Sequence, residues 1–205
     1  MSSLSSAKES SAFTRRPRQG LTKRDQLLET AWQLFYRNGY HATGIDRILA
    51  DAGVAKMTLY KHFRSKEELI LAVLEKRNTQ FHESFSRFLR AKKRAPERQL
   101  LAVFDWLISW VSSKEFRGCF LQKAMAEYQD LDDPIHQAAL AHKTAFHEEI
   151  RRLVTEAGVA NSKALAHQLA LLVEGAIVSS HATGSPMPAV QAREAAWSLI
   201  KNARR

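Results

Sequence analysis

Lys56, Met57, Thr58, Tyr60, Lys61 and His62 lie within seven consecutive residues, with Leu59 between them and Phe63 just beyond. On a helix of 3.6 residues per turn, Leu59 and Phe63 share a face and can point inward, which leaves the other six outside. Ammonium, hydroxyl and imidazole donors clustered in this way suit the oxygens of a phosphate backbone. Side chains at the N-terminal end of such a helix are placed to reach base edges in a major groove. This chemistry is recognition, not bond making. The chain contains no Gly-x-Ser-x-Gly nucleophile elbow, no glycine loop that would cradle phosphate and no His-Glu-x-x-His. An enzyme built on a Cys119 nucleophile with one of the eight histidines therefore has little to stand on.

Two short helices and a tight turn must position that set. In the stretch from Thr43 to Ser65, Thr43 is expected to be the N-cap of the first helix, with Asp46 three positions on and Ile45, Ile48 and Leu49 as its apolar stripe. Ala52-Gly53 ends it. Gly53 suits the left-handed conformation of a helix terminus, and Val54 can lock the second helix against the first. The second helix is expected from about Ala55 to Lys61. Ala55 has no side-chain acceptor, so solvent or a DNA phosphate must satisfy its first amides. Ser65-Lys-Glu-Glu68 is a capping box that starts a third helix at once.

About fifty consecutive residues in this order resemble the DNA-binding domain of the TetR family of bacterial regulators. They run from Arg24-Asp-Gln-Leu-Leu-Glu-Thr-Ala-Trp-Gln-Leu-Phe through the Asn38-Gly-Tyr-His-Ala-Thr43 connector and the Ala-Gly-Val turn to Thr58-Leu-Tyr-Lys-His-Phe and Ser65-Lys-Glu-Glu-Leu69. Ala55 departs from the Ser that many members carry as N-cap. By position in the motif, the resemblance implies that Lys56, Met57 and Thr58 face bases. It implies that Thr43, Tyr60, Lys61, His62 and Lys66 hold phosphates.

Composition agrees. The 205 residues carry a formal charge of +10, are 45% hydrophobic and 25% charged, and can build one or two domains with real cores. Positions 1–64 hold a net +6 and the remaining 141 a net +4, so positive charge concentrates at the end with the motif. A single cysteine allows no internal disulfide and points to a reducing cytoplasm. The Ser-rich start does not resemble a signal peptide, and the most apolar run, from Leu169 to Val178, contains Glu174 and is too short to span a bilayer.

Residues 1 to about 20 read as a disordered basic arm in which Arg15, Arg16 and Arg18 either enter a minor groove or add nonspecific attraction. Helix one is expected after Thr22, ending at Gly39. The helix after Ser65 is expected to reach about Lys93, ~40 Å in length, with Lys92-Lys-Arg94 at its negative end and a break at Pro96. Further helices are expected at 97–113, after Gly118, from an Asp133-Pro134 start to Gly158, at 162–183 and at 187–203. No strand signal appears. The fold class is all-α, with a three-helix N-terminal helix-turn-helix domain (21–66) and a helical-bundle C-terminal domain (67–205) for effector binding and dimerisation.

The helix at 162–183 is apolar on more than one face, a surplus that points to a partner. The resemblance implies a homodimer through the last two helices and a palindromic operator. It also implies a small-molecule effector. Phe81, Phe85, Phe104, Trp110, Phe120, Tyr128 and Phe146 are candidates to line a pocket for an apolar or aromatic compound, with Cys119 and His142 as its polar members. Ordinary core packing is the competing reading for each. Glu127 and Asp105 would counter a cationic effector if buried. His136, His142 and His147 are spaced six and five residues apart and do not stack as metal ligands; no metal or other cofactor is expected. The expected protein is a cytoplasmic, ligand-responsive repressor. The alternatives are an activator, a thiol-based redox or electrophile sensor working through Cys119, and an architectural DNA protein without sequence preference.

Overall fold

Thr22 opens the first helix. Its Oγ1 accepts the Asp25 amide at 3.1 Å, and α1 (Lys23–Asn38) runs until Gly39, at φ +92°, turns the chain. The computed structural model describes residues 20–90, 95–159 and 161–203. The arm with Arg15, Arg16 and Arg18, and the Lys92-Lys-Arg94 run, lie outside the described residues. Among the described residues eight more helices follow and no strand occurs: α2 (Ile45–Ala52), α3 (Lys56–His62), α4 (Lys66–Arg90), α5 (Pro96–Val111), α6 (Phe120–Glu127), α7 (Pro134–Glu156), α8 (Ser162–Thr183) and α9 (Met187–Asn202).

Most boundaries have the local causes that the residue types predict. Gly53 sits at φ +65° and ψ 41°, and the Val54 amide turns back to the Leu49 carbonyl at 3.2 Å, closing α2. Asp133 Oδ1 accepts the Ile135 amide at 2.7 Å at the start of α7, with Pro134 as first helical residue. Pro96 takes the first position of α5, where a missing N–H costs nothing, so α5 covers 96–111 and not 97–113. Ser65 Oγ accepts the Glu68 amide at 3.2 Å, but the Glu68 carboxylate returns to the Arg64 amide at 2.7 Å, one residue upstream of the expected box.

Thr43 is not the cap of α2. That position belongs to Gly44, which has no side chain to offer, while Thr43 Oγ1 donates to the Gly39 carbonyl at 2.7 Å. Thr43 is only 2% exposed, and a buried hydroxyl must place its proton on an acceptor. The nearby carbonyl four residues back takes it.

The described chain falls into two compact units, one containing residues 20–80 with 120–142 and the other 81–90, 95–119, 143–159 and 161–203. The first extends past residues 21–66 to take in α4 as far as residue 80 and the segment 120–142, whose α6 is fastened to α1. Phe120 meets the Trp32 ring edge-on at 5.3 Å, the Tyr40 hydroxyl donates to the Phe120 carbonyl at 3.0 Å, and Lys123 Nζ donates to the Tyr36 carbonyl at 2.9 Å. Lys123 thereby puts a cation at the negative end of α1. The unit's core is Leu27, Leu28, Ala31, Phe35, Ile48, Leu59, Phe63, Leu69, Ile70 and Leu74, all nearly inaccessible.

In the second unit α5, α8 and α9 pack on one another. Ala189, Ala192, Ala196 and Ile200 line the buried face of α9, and the three alanines allow close helix approach. Between α7 and α8, Glu174 accepts from His147 Nε2 at 2.7 Å and Lys143 Nζ at 2.9 Å. The His147 bond and the Lys143 charge overcome burial and hold the Glu174 carboxyl down to about 2, from an ordinary 4.5. A carboxyl with a depressed folded value stabilises fully above its unfolded value and loses that contribution as pH falls toward the folded one. Glu174→Gln is therefore expected to cost on the order of 2 kcal/mol at pH 7, after solvent screening, and less than half of that at pH 3. Urea unfolding at the two pH values checks this, and an equal cost at both would contradict it.

Candidate nucleic-acid interface

α3 is short, and Leu59, at 0% exposure, with Phe63, at 2%, pins one side of it to the core. The opposite side is open. Met57 is 81% exposed and Tyr60 45%, Lys61 is exposed, and the Lys56 side chain retains 63% of its accessibility. Thr58 and His62 are half-buried on the flanks. Lys56 Nζ lies 3.7 Å from Asp46 Oδ1, an exposed pair that water screens, so the ammonium remains available to another anion. Ala55 precedes α3 with extended geometry and no side-chain cap. Thr43 drops out of the expected set of phosphate donors, since its one hydroxyl proton is committed to Gly39 and the residue is buried.

The connector between α1 and α2 is held by a residue to which the sequence assigned a different part. Glu127, at the end of α6, accepts the Tyr40 amide on Oε1 at 2.8 Å and the His41 amide on Oε2 at 2.6 Å. His41 Nε2 is 2.9 Å from the Glu127 carbonyl, its ring lies tilted against Tyr128 with the centroids 4.6 Å apart, and Lys66 Nζ donates to the His41 carbonyl at 3.3 Å. A Cβ added at Gly39 would come within 2.9 Å of Glu127 Oε1, so this glycine answers both to its positive φ and to the carboxylate. Glu127 is thus engaged by backbone amides, and Asp105 accepts from Arg193 Nε at 2.6 Å. The expectation that these two acids counter a cationic effector meets partners already in place.

The nine effector candidates separate. Phe81, Phe85, Trp110 and Phe146 come together in the second unit with Trp106 and Phe116, through edge contacts of 4.9 Å for Phe81 with Trp106 and 5.3 Å for both Phe85 with Phe146 and Trp110 with Phe116. Phe104 is fully buried in the same core, and Cys119 packs against it half-buried. Phe120, Tyr128 and His142 belong to the other unit. There Phe120 packs on Trp32, and Tyr128 sits at the connector with its phenol pushed up to about 12 by burial and then by Glu67, Glu127 and Asp133. His142 pairs with Glu75 at 3.3 Å, and burial pushes its imidazole down against the attraction of that carboxylate. His136 and His147 have different partners, the Tyr128 carbonyl and Glu174. An open surface cavity of about 580 Å³ lies between α7 and α8, lined by residues such as His147, Arg151, Asn161, Lys163 and His167 and by none of the nine.

Comparison with known proteins fits this geometry. The family model for bacterial regulatory proteins of the tetR family matches residues 27–73, and that for the tetracyclin repressor-like C-terminal domain matches 96–196. A solved TetR-family transcriptional regulator from Streptomyces coelicolor is 32% identical, with a TM-score of 0.83 over 89% of this chain and 96% of its own. The transcriptional activator FasR of Mycolicibacterium smegmatis is 54% identical over 54 residues, which are 26% of this chain and 25% of FasR. The transcriptional repressor NemR of Escherichia coli is 28% identical over 116 residues, 56% of this chain and 58% of NemR. The chain thus spans from a quarter to somewhat over half the length of these two curated relatives.

Proposed function

Because the chain belongs to the TetR family of DNA-binding, helix-turn-helix transcriptional regulators, we propose that it is a ligand-responsive repressor that binds a palindromic operator as a homodimer. The observation that carries the reading is α3 itself, with Leu59 sealed in the core while Lys56, Met57, Tyr60 and Lys61 stand in solvent. Lys56, Met57 and Thr58 take the base edges, and Tyr60, Lys61, His62 and Lys66 take phosphates. Dimerisation is supported by large apolar side chains left exposed on the last two helices, Leu171 at 58%, Val178 at 55% and Trp197 at 41%. A second copy covering that face would set the spacing of two α3 helices. Among the described residues no helix is long and apolar enough to cross a membrane.

The effector is a small apolar or aromatic compound received by the Phe81, Trp106, Trp110 and Phe146 cluster, whose edge-to-face rings have to part to admit it. Ser113, between Trp110 and Phe116 in the chain, and Ser180 carry buried hydroxyls without hydrogen-bond partners among the described residues, which suits orienting such a ligand. Ligand and operator would favour different arrangements, so each weakens the other. One observation favours activation instead of repression: FasR, the activator, is 54% identical over its matched stretch.

Selection of binding sites from a random duplex library at moderate salt, repeated with a panel of hydrophobic compounds, tests the reading. A recovered palindrome released by one compound supports it, and no enriched sequence overturns it. Tyr60→Phe is expected to weaken binding similarly on every duplex, by about fivefold for one lost phosphate bond. Lys56→Ala and Thr58→Ala are expected to shift sequence preference. Competition titrations on operator and scrambled duplex separate the two behaviours, and equal losses on both for Lys56 and Thr58 would remove them from the base-reading set.

A further inference from the structure

The geometry points to Met57 as a reader of the thymine 5-methyl group, the apolar feature on the floor of the major groove. This rests on the operator-binding reading and deepens it.

Met57 is the most exposed of the large hydrophobic side chains among the described residues, at 81%, and it stands at the second position of α3. No neighbour in its own unit covers it. Leaving an unbranched thioether in water forfeits the gain of burying its methylenes and terminal methyl, so an occupant for that surface is expected. Its surroundings say which kind. Lys56 precedes it with most of its surface accessible, and Lys61 and Tyr60 are exposed on the same short helix. A cationic and hydroxyl-bearing setting does not suit an apolar protein patch, whereas it complements a polyanion. The base edges in a major groove present nitrogens, oxygens and amino groups, and only thymine adds a methyl. Met57 has no donor for the polar edges, and it has the reach and flexibility of three rotatable bonds to lie against that methyl.

The discrimination is between thymine and every base lacking the methyl, uracil included. The test uses the full-length protein and the duplex recovered by site selection, with each thymine replaced in turn by deoxyuridine, which removes the methyl and leaves the hydrogen-bonding edge intact. The wild type is expected to lose about fourfold in affinity at one thymine per half-site, and roughly fifteenfold when both half-sites are changed. Met57→Ala is expected to bind the thymine and deoxyuridine duplexes within twofold of each other at that position. Met57→Leu is expected to restore the preference. Because the side chain is solvent-exposed, the melting temperatures of both variants should match the wild type, which separates this readout from misfolding. A recovered operator on which deoxyuridine is tolerated everywhere, or on which Met57→Ala keeps the full penalty, overturns the assignment and leaves the operator reading standing. Failure to recover any preferred sequence overturns the operator reading, and the assignment falls with it.

Discussion

Glu127→Ala is expected to weaken binding to the selected duplex by at least tenfold without touching any residue of α3. The carboxylate accepts the Tyr40 and His41 amides at 2.8 and 2.6 Å, and charge-assisted bonds of this kind contribute about 1.5–3 kcal/mol each. Exposure at His41 places the combined cost to the unit near the lower bound of that sum, on the order of 3 kcal/mol. The consequence for binding is geometric. The segment Gly39–Thr43 leads into α2, and α2 supports α3 through the Gly53 turn, so loosening the two amides spreads the positions available to Lys56 and Met57. Ordering them again on DNA then costs entropy. Duplex titration alongside a thermal melt checks the result. Glu127→Gln keeps one carbonyl acceptor and should fall between wild type and alanine. If affinity stayed constant while the melting temperature dropped, Glu127 would be a staple for α6 with no bearing on recognition.

Arg77→Met alone is expected to destabilise the helix-turn-helix unit by about 3–5 kcal/mol, enough to compromise folding of a marginally stable domain. Arg77 is 4% exposed, donates to the Glu29 carboxylate of α1 and to Gln80 Oε1 at 3.0 Å, and lies over the Trp32 ring at 4.5 Å. Removing it leaves the Glu29 charge buried, at 8% exposure, facing the neutral amide of Gln33, whose Nε2 donates to it at 3.2 Å. The pair Glu29→Leu with Arg77→Met should recover most of the loss, because two apolar side chains of similar volume carry no desolvation cost. Denaturant unfolding of the three variants forms a double-mutant cycle. Additive costs would mean that the two side chains act independently.

The helix-turn-helix was legible because its signals are local. Thr22, Gly39, Gly53, Ser65, Pro96 and the Asp133-Pro134 pair each act within one helical turn, and each marks a boundary or lies within one or two residues of one. The outward set on α3 follows from the period that puts Leu59 and Phe63 inside. Thr43 shows the limit of such reasoning. Its type suits an N-cap, yet burial redirected its proton to Gly39, and burial is not a property of three neighbouring residues.

By itself, then, the order of residues determined the helical character of the described residues, most helix starts and stops to within a residue or two, the face of α3 turned to solvent and the apolar surplus on α8. Those depend on backbone conformation and on the 3.6-residue period, both decided over a few positions. Only the tertiary structure decided that α6 belongs with α1, that Glu127 holds the connector, that Arg77 and Glu29 form a buried pair and that Phe120, Tyr128 and His142 belong to the unit of α1. The contacts of Glu127 and Arg77 join residues 87 and 48 positions apart. No periodicity reports which distant carboxylate meets which amide; that outcome is set by how apolar faces bury one another and by the need of each buried polar group to find a partner.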